Sequence, residues 1–159
     1  MIVRIALVSD YYWPEPSPPA HHLHERAKLW VENGHDVVVI ASAPNYPSGR
    51  LYPGFKNSWR SFSEQDGVQI VRVGTWICAH NRSILKLLDQ LTFSVSAGSV
   101  RLKKRPDVVF SSSPHLFTPI AAQWISKRCH CPHVLEVRDL WPDSVLKHGT
   151  VPWKVLKAV

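Results

Sequence analysis

Val-Leu-Glu-Val-Arg-Asp-Leu-Trp-Pro-Asp-Ser, at residues 134–144, starts as an apolar strand and turns into charged sequence that a proline interrupts. Three charged side chains, Glu136, Arg138 and Asp139, fall at that change. A nearly continuous apolar strand is typical of a buried parallel sheet. Ligands of open α/β sheets bind at the carboxyl ends of such strands. We therefore expect Arg138 and Asp139 to lie at the ligand-binding edge of a parallel sheet.

The rest of the chain predicts the sheet to which this strand belongs. Five apolar runs have strand length: residues 2–8, 36–41, 68–73, 107–110 and 133–137. Apolar residues at helical spacing lie between several of them, after Ser17-Pro18, from Ile84 onward and after Thr118-Pro119. Both Ser-Pro and Thr-Pro fit an N-cap followed by proline at the first helical position, and Gly34 fits the end of the first helix. Strands that alternate with helices predict an α/β domain, a Rossmann-like doubly wound parallel sheet with helices on both faces.

Composition limits the class of protein. The chain has 159 residues, 45% apolar and 19% charged, which is typical of one globular domain. The net charge of +7 favours anionic partners such as phosphates, nucleotides, anionic lipids or nucleic acid. The three cysteines form no disulfide framework and fit a reducing cytosol. The amino terminus lacks a signal-peptide pattern, and no apolar run reaches the roughly 20 residues that span a bilayer.

Polar residues follow four of the predicted strands and form the candidate site. They are Asp10, then Asn45 and Tyr46, then Ser113 and His115, then Arg138 and Asp139. Parallel strands share a direction, so these residues should meet at one edge. Asp139 is suited to accept a proton or to hold a sugar hydroxyl. A structural role for Asp139, in an ion pair with Arg138 or as the cap of a helix from Pro142, is an equally good interpretation. His115 is suited to act as a base or to donate a hydrogen bond to a substrate. The alternative is a surface histidine in a turn, without a function.

Other motifs bear on phosphate, metal and nucleic-acid binding. Ser17 precedes a helix whose free backbone N–H groups suit a phosphate. No Gly-x-Gly-x-x-Gly motif or P-loop is present. Neither the His21-His22-x-His24 cluster nor Cys129-His130-Cys131 has the spacing of a metal site, so we predict no metal. The basic residues 101–105 lack the aromatic partners of a nucleic-acid site, and a membrane surface or a solvated helix end fits them better.

Four stretches resemble one known family. Gly-His-Asp-Val-Val-Val at 34–39, Ala-Pro-Asn-Tyr-Pro-Ser-Gly at 43–49, Arg-Pro-Asp-Val-Val at 105–109 and Glu-Val-Arg-Asp-Leu-Trp-Pro-Asp-Ser at 136–144 carry the resemblance. Together they are similar to the amino-terminal domain of retaining, family 4 glycosyltransferases of the GT-B fold. The branch is that of bacterial surface-polysaccharide biosynthesis, including amino-sugar and fucose-type transferases. The resemblance covers almost the whole chain.

The resemblance implies a domain organisation and a reaction. Residues 1–150 would be the acceptor-side Rossmann-like domain, and 151–159 the start of a truncated helix. A donor-binding domain would follow residue 159 and is absent here, so this chain alone should be inactive. A sugar would pass with retention from a nucleotide-sugar to a glycan acceptor that is often lipid-linked. No cofactor or metal is expected, and the place of action would be the cytoplasm, with peripheral contact at the inner membrane face.

The resemblance also assigns roles to the candidate residues. Asp139 and His115 would be catalytic, and Asp10, Ser17, Asn45, Tyr46 and Arg138 would bind substrate. The family often has paired glycines after the first strand, where this chain reads Pro-Glu-Pro-Ser-Pro-Pro-Ala at 14–20. Ser17 and the helix-start amides would then replace the glycine contact with phosphate.

A binding module without catalysis is the alternative interpretation. Such a domain would dock on a membrane or on a separate donor-domain subunit. A reading frame that continues past Val159 into a second α/β domain would favour the enzyme. A natural stop after Val159 would favour the module.

Overall fold

The computed structural model describes residues 1–77, 83–113, 115 and 117–138. Strands and helices alternate along most of this part of the chain. In chain order the elements are β1 (Arg4–Val8), α1 (Pro18–Glu32), β2 (Asp36–Ser42), β3 (Arg60–Gln65), β4 (Val68–Val73), α2 (Ser83–Gly98), β5 (Val108–Ser112), α3 (Thr118–Cys129) and β6 (His133–Glu136).

The six strands form one sheet in the order β3-β4-β2-β1-β5-β6. All neighbouring pairs are parallel except β3 with β4, which is antiparallel. The five parallel strands follow the Rossmann order, with β1 at the centre: β2 and β4 are added on one side of β1, and β5 and β6 on the other, so the strand order reverses between β1 and β5. The predicted α/β, Rossmann-like sheet is confirmed.

Strand β3 is the element that the sequence pattern did not predict. Its residues, Arg-Ser-Phe-Ser-Glu-Gln, are half-buried or exposed throughout, so they carry no apolar period. The strand exists because a tight turn at Asp66 and Gly67, both with positive φ, folds it back on β4. The result is an antiparallel edge on an otherwise parallel sheet, which is common in large α/β sheets.

Helices cover both faces of the sheet. On one face, Leu23 and Ala27 of α1 pack against Leu7 and Val39. On the other face, Phe93 and Ala97 of α2 and Ala121 and Ile125 of α3 pack against the opposite side chains of β1, β2, β4 and β5. Because successive strand residues point to opposite faces, the central strands are apolar at nearly every position and buried on both sides.

Two of the predicted helix boundaries agree with the structure, and one shifts. Ser17 caps α1, since its Oγ accepts the backbone N–H of Ala20 at 3.3 Å. Gly34 follows the end of α1 with φ of 82°. Helix α3 begins at Thr118 itself, so the capping residue is Phe117, one residue before the predicted cap. The helix predicted from Pro142 lies outside the described residues.

Among the described helices, none has both the length and the apolar content that a membrane span requires.

Candidate functional site

Asp10 and His115 meet at the point where the strand order reverses. Asp10 follows β1 and His115 follows β5, the two strands that flank this reversal. The Asp10 carboxylate lies 3.1 Å from Nδ1 of His115. Both residues are buried, with 4% and 7% of their surface exposed. The crevice at such a reversal is the usual ligand site of an open α/β sheet.

The pairing of Asp10 with Nδ1 determines what His115 can do. A carboxylate acceptor holds a proton on Nδ1 and fixes the orientation of the ring. The other ring nitrogen, Nε2, has no hydrogen bond to another described residue. A neutral imidazole in this state accepts a proton at Nε2 or receives a hydrogen bond from a hydroxyl there.

Tyr11 connects this pair to the loop after β2. Its ring packs edge-on against His115, with 4.5 Å between ring centroids, and lies 5.2 Å from the ring of Tyr46. Burial, together with the nearby charges of Asp10 and Glu15, raises the pKa of the Tyr11 hydroxyl above its usual range. Tyr11 therefore stays neutral and adds a hydroxyl dipole to the site.

Glu15 fastens the loop after β1 to the loop after β2. The residue is fully buried, and its Oε1 accepts the backbone N–H groups of Asn45 at 2.8 Å and Tyr46 at 2.9 Å. Burial raises the pKa of the Glu15 carboxyl to about 6, although these two hydrogen bonds act to lower it. The two loops that carry the candidate ligand residues are therefore held together by one carboxyl group.

Arg72 makes a second connection between the same loops. It lies in β4 with only 5% of its surface exposed. Its guanidinium donates to the carbonyl oxygens of Ser42 and Trp13 and stacks over the ring of Phe55. Burial lowers its pKa, and the charge of Glu15 acts against that change. Arg72 thus connects the end of β2, at Ser42, to the loop after β1, at Trp13.

Asp89 adds a third buried carboxyl group from α2. Burial, and then the charge of Asp10, raise the pKa of Asp89 to about 7. Within the described part of the chain, four buried side-chain atoms lack a hydrogen-bond partner: Glu15 Oε2, Arg72 Nε, Thr75 Oγ1 and Asp89 Oδ1. Glu15 interacts electrostatically with both Arg72 and Asp89. Polar groups left unsatisfied in this way are unusual in structural cores and are concentrated here beside the candidate site.

The sequence-predicted substrate residues divide into two groups. Tyr46 lies beside the Asp10–His115 pair, because the ring of Tyr11 contacts both Tyr46 and His115. Asn45 is buried, its backbone N–H donates to Glu15, and its side-chain amide donates to the carbonyl oxygen of Ala43. The Ser17 hydroxyl is buried and engaged as the helix cap, so its plain structural role is the one observed. Arg138 is exposed, and its backbone N–H donates to Ser113 Oγ at 2.8 Å. Asp139 lies outside the described residues, so its predicted role stays a prediction.

Glu136 shows how the fifth predicted strand is anchored. Its carboxylate accepts hydrogen bonds from Arg26 at 2.8 Å and from the Ser112 hydroxyl at 2.7 Å. Partial burial acts to raise its pKa, but the hydrogen bonds from Arg26 and Ser112 prevail and lower it. Glu136 is therefore committed to connecting β6 with α1 and β5, and the chain leaves β6 toward Arg138 beside Ser113.

Sequence reasoning missed Glu15, Arg72 and Asp89. A signal for two of them was present: Arg72 is the lone charge in the strand Val-Gln-Ile-Val-Arg-Val, and Asp89 interrupts the apolar side of α2. A charge inside an apolar element predicts a buried partner or a functional environment. Glu15 had no such signal, because its loop is polar and rich in proline.

The histidines near the start of α1 have structural contacts. His24 is buried, its Nδ1 lies 3.2 Å from the Tyr12 hydroxyl, and its Nε2 lies 3.2 Å from Asp66. The indole of Trp13 stacks on it. Over residues 1–77, 83–113, 115 and 117–138, no group of three metal-ligating side chains comes together.

Comparison with known proteins relates the chain to a protein family and to a bacterial protein. The family model described as "Glycosyl transferase 4-like domain" matches residues 19–155. A protein of Escherichia coli (strain K12), named "Putative colanic acid biosynthesis glycosyl transferase WcaI", is 23% identical over 150 residues. That match covers 92% of this chain and 37% of the relative, so the chain spans little more than a third of the relative's length.

Proposed function

The chain belongs to the family of glycosyl transferase 4-like domains, and on that premise we propose that it is the acceptor-side half of a glycosyltransferase. The complete enzyme would move a sugar from a nucleotide-sugar to a glycan acceptor, with retention of the anomeric configuration. The name of the similar Escherichia coli protein supports an acceptor in surface-polysaccharide biosynthesis. A lipid-linked glycan at the inner face of the cytoplasmic membrane is the acceptor that we propose.

The observation that carries this proposal is the Asp10–His115 pair at the strand-order reversal. The pair is buried, polar and built from residues that follow two adjacent parallel strands. With Nδ1 held by Asp10, His115 Nε2 would accept a hydrogen bond from the acceptor hydroxyl and orient it toward the sugar carbon. The negative charge of Asp10 would also favour the positive charge that develops on the sugar ring and on His115.

The remaining residues would shape the acceptor side of the cleft. Tyr46 and Asn45, fixed by Glu15, would contact the acceptor sugar. Asp139 would provide a second carboxylate from the end of β6, with Arg138 beside it. The scheme includes no metal or cofactor.

The test is a transfer assay with His115→Gln and Asp10→Asn in the enzyme that carries this domain. The assay measures nucleotide released from a panel of nucleotide-sugars in the presence of a lipid-linked acceptor extract. We expect both variants to lower kcat by about 10²–10⁴-fold, the usual contribution of a positioned acid–base group. His22→Ala, a substitution on the exposed surface of α1, is the matched control and should leave kcat unchanged. Unchanged kcat in His115→Gln would remove this residue from the reaction.

The domain expressed alone should retain the site and lose turnover. Tritium- or fluorophore-labelled acceptor should bind the isolated chain, while nucleotide release stays at the uncatalysed rate. Turnover by the isolated chain would contradict the proposed division into acceptor and donor halves.

We also propose peripheral contact with an anionic membrane. Helix α2 exposes the apolar side chains of Leu87, Leu88, Leu91 and Val95, and basic residues follow it. An apolar stripe beside cations is the pattern of a helix that lies at a membrane surface. Flotation with anionic liposomes should show binding that weakens with salt. Equal binding to neutral and anionic liposomes would refute the electrostatic part.

A further inference from the structure

A second pocket lies at the edge of the sheet opposite to the Asp10–His115 pair. It opens at the amino ends of β1, β2 and β4, beside the edge strand β3 and the segment that follows α2. Its volume is about 520 Å³. Pockets of roughly 300–1,000 Å³ hold small molecules in other proteins. The pocket is separate from the candidate transfer site because the two lie at opposite ends of the parallel strands.

The pocket exists because α2 stops before it covers the edge of the sheet. Helix α2 packs on β2 and β4 and ends at Gly98. Phe62 of β3 pairs with Val71 of β4, and 73% of its surface is exposed. The floor of the pocket is apolar, with Val38 and Val71 from the sheet and Val100 from the chain after α2.

The rim of the pocket is cationic. Arg101, Lys103 and Lys104 line it and are exposed. Arg4, a fourth cation, is matched by Asp36, with 2.9 Å between guanidinium and carboxylate. The other three form no ion pair with a carboxylate of the described residues. Among the described lining residues, Glu64 is the one carboxylate besides Asp36, so four cations face two carboxylates and the lining keeps an excess of positive charge.

We propose that this pocket binds one anionic lipid. The phosphate of the headgroup would lie among Arg101, Lys103 and Lys104, and the first methylene groups of the chain would lie on Phe62 and the valine floor. An amphiphile with one anionic end matches both halves of the pocket. A free nucleotide or a glycan matches the charged and polar rim but has no alkyl chain to cover the apolar floor. The inference deepens the proposed membrane contact, on which it rests, and does not depend on glycosyl transfer.

The test is calorimetric titration with octyl phosphate below its micelle concentration, in the absence of donor and acceptor. Inorganic phosphate and octyl glucoside serve as the headgroup-only and neutral-chain probes. We expect octyl phosphate to bind about tenfold more tightly than inorganic phosphate, because burial of about two methylene groups gives this gain. It should also bind about tenfold more tightly than octyl glucoside, because the two share the octyl chain and only the phosphate accepts charge-assisted hydrogen bonds from the cationic rim. The use of monomeric ligands separates this pocket from general adsorption to a membrane. Failure of the transfer assay alone would leave the result of this titration unaffected.

Variants separate the two halves of the pocket. The double substitution Lys103→Ala/Lys104→Ala should weaken octyl phosphate binding about tenfold, through the loss of charge-assisted hydrogen bonds. Phe62→Ser should weaken octyl phosphate and leave the weak binding of inorganic phosphate unchanged. Lys28→Ala, on α1 at the other face of the sheet, is the matched control and should change neither.

Four outcomes would overturn the proposal. Equal affinity for octyl phosphate and octyl glucoside would show an apolar patch without anion recognition. Equal affinity for octyl phosphate and inorganic phosphate would show a simple phosphate site. Absence of binding, or a lysine double variant that binds like Lys28→Ala, would show that the pocket does not take this class of ligand.

Discussion

Substitution of Asp89 by asparagine should stabilise the fold, and more strongly at alkaline pH. Asp89 is buried in α2, one carboxylate oxygen has no partner among the described residues, and the charge of Asp10 is close. Burial and this charge raise the pKa of Asp89 from 3.8 to about 7. Asparagine has nearly the same shape and carries no charge, so it removes the cost of ionisation without opening a cavity.

The sign and the size follow from linkage. The folded state holds the Asp89 proton up to about pH 7, while the unfolded state releases it near pH 3.8. The free energy of unfolding therefore falls as pH rises through this window and is constant above it. A shift of about three pKa units at about 1.4 kcal/mol each costs the wild-type protein about 4 kcal/mol at pH 8. At pH 5.5 the same relation gives about 2 kcal/mol.

The assay is urea unfolding followed by tryptophan fluorescence at pH 5.5 and pH 8. We expect Asp89→Asn to raise the free energy of unfolding by about 2 kcal/mol at pH 5.5 and about 4 kcal/mol at pH 8. Glu25→Gln, which removes a carboxylate from the exposed side of α1, is the control for net charge and should give changes below about 0.5 kcal/mol. A gain that does not grow between the two pH values, or a loss of stability at both, would refute the buried-carboxyl reasoning.

Three further predictions concern other parts of the molecule. Glu15→Ala leaves two backbone N–H groups without their acceptor, and thermal or urea unfolding should show a loss of about 2–5 kcal/mol; a loss below 0.5 kcal/mol would mean that the loops hold without this carboxyl. Gly98→Ala places a Cβ 2.5 Å from the ring of Trp124, so urea unfolding should show a loss of about 1–3 kcal/mol; the same substitution in a Trp124→Ala background is the control and should cause no loss, and equal losses in the two backgrounds would rule out the clash. Asp139→Ala in the complete enzyme should lower kcat strongly and leave the unfolding curve unchanged, and an unchanged kcat would exclude a catalytic role.

The Glu15 carboxyl adds to the pH dependence in the same direction as Asp89. Its pKa rises from 4.5 to about 6, so it too favours the folded state when protonated and lowers stability as pH rises through that window. Two buried carboxyl groups near one cleft therefore reduce the stability of the domain at neutral pH. A loss of folding stability from buried charged groups is typical of functional sites, where the groups that bind or react are held in surroundings that shift their pKa values.

The sequence alone determined the fold class and the position of the candidate site. Continuous apolar runs such as 36–41 are a local property of the sequence. The cap at Ser17, where helix α1 begins, and the glycine at 34, where it ends, are local in the same sense. The same local reading placed Asp10 and His115 after parallel strands, and therefore at one edge of the sheet. These features depend only on neighbours within a few residues, which is why a single sequence carries them.

Tertiary structure decided which of those residues touch and which groups are buried. The direct contact of Asp10 with His115 depends on β1 and β5 being neighbours in the sheet, a fact that no local pattern encodes. Strand β3 has no apolar period and is defined by its pairing with β4. Glu15 and Asp89 become special only when loops and a helix that are distant in sequence exclude water around them, since the pKa of a carboxyl depends on its surroundings in space.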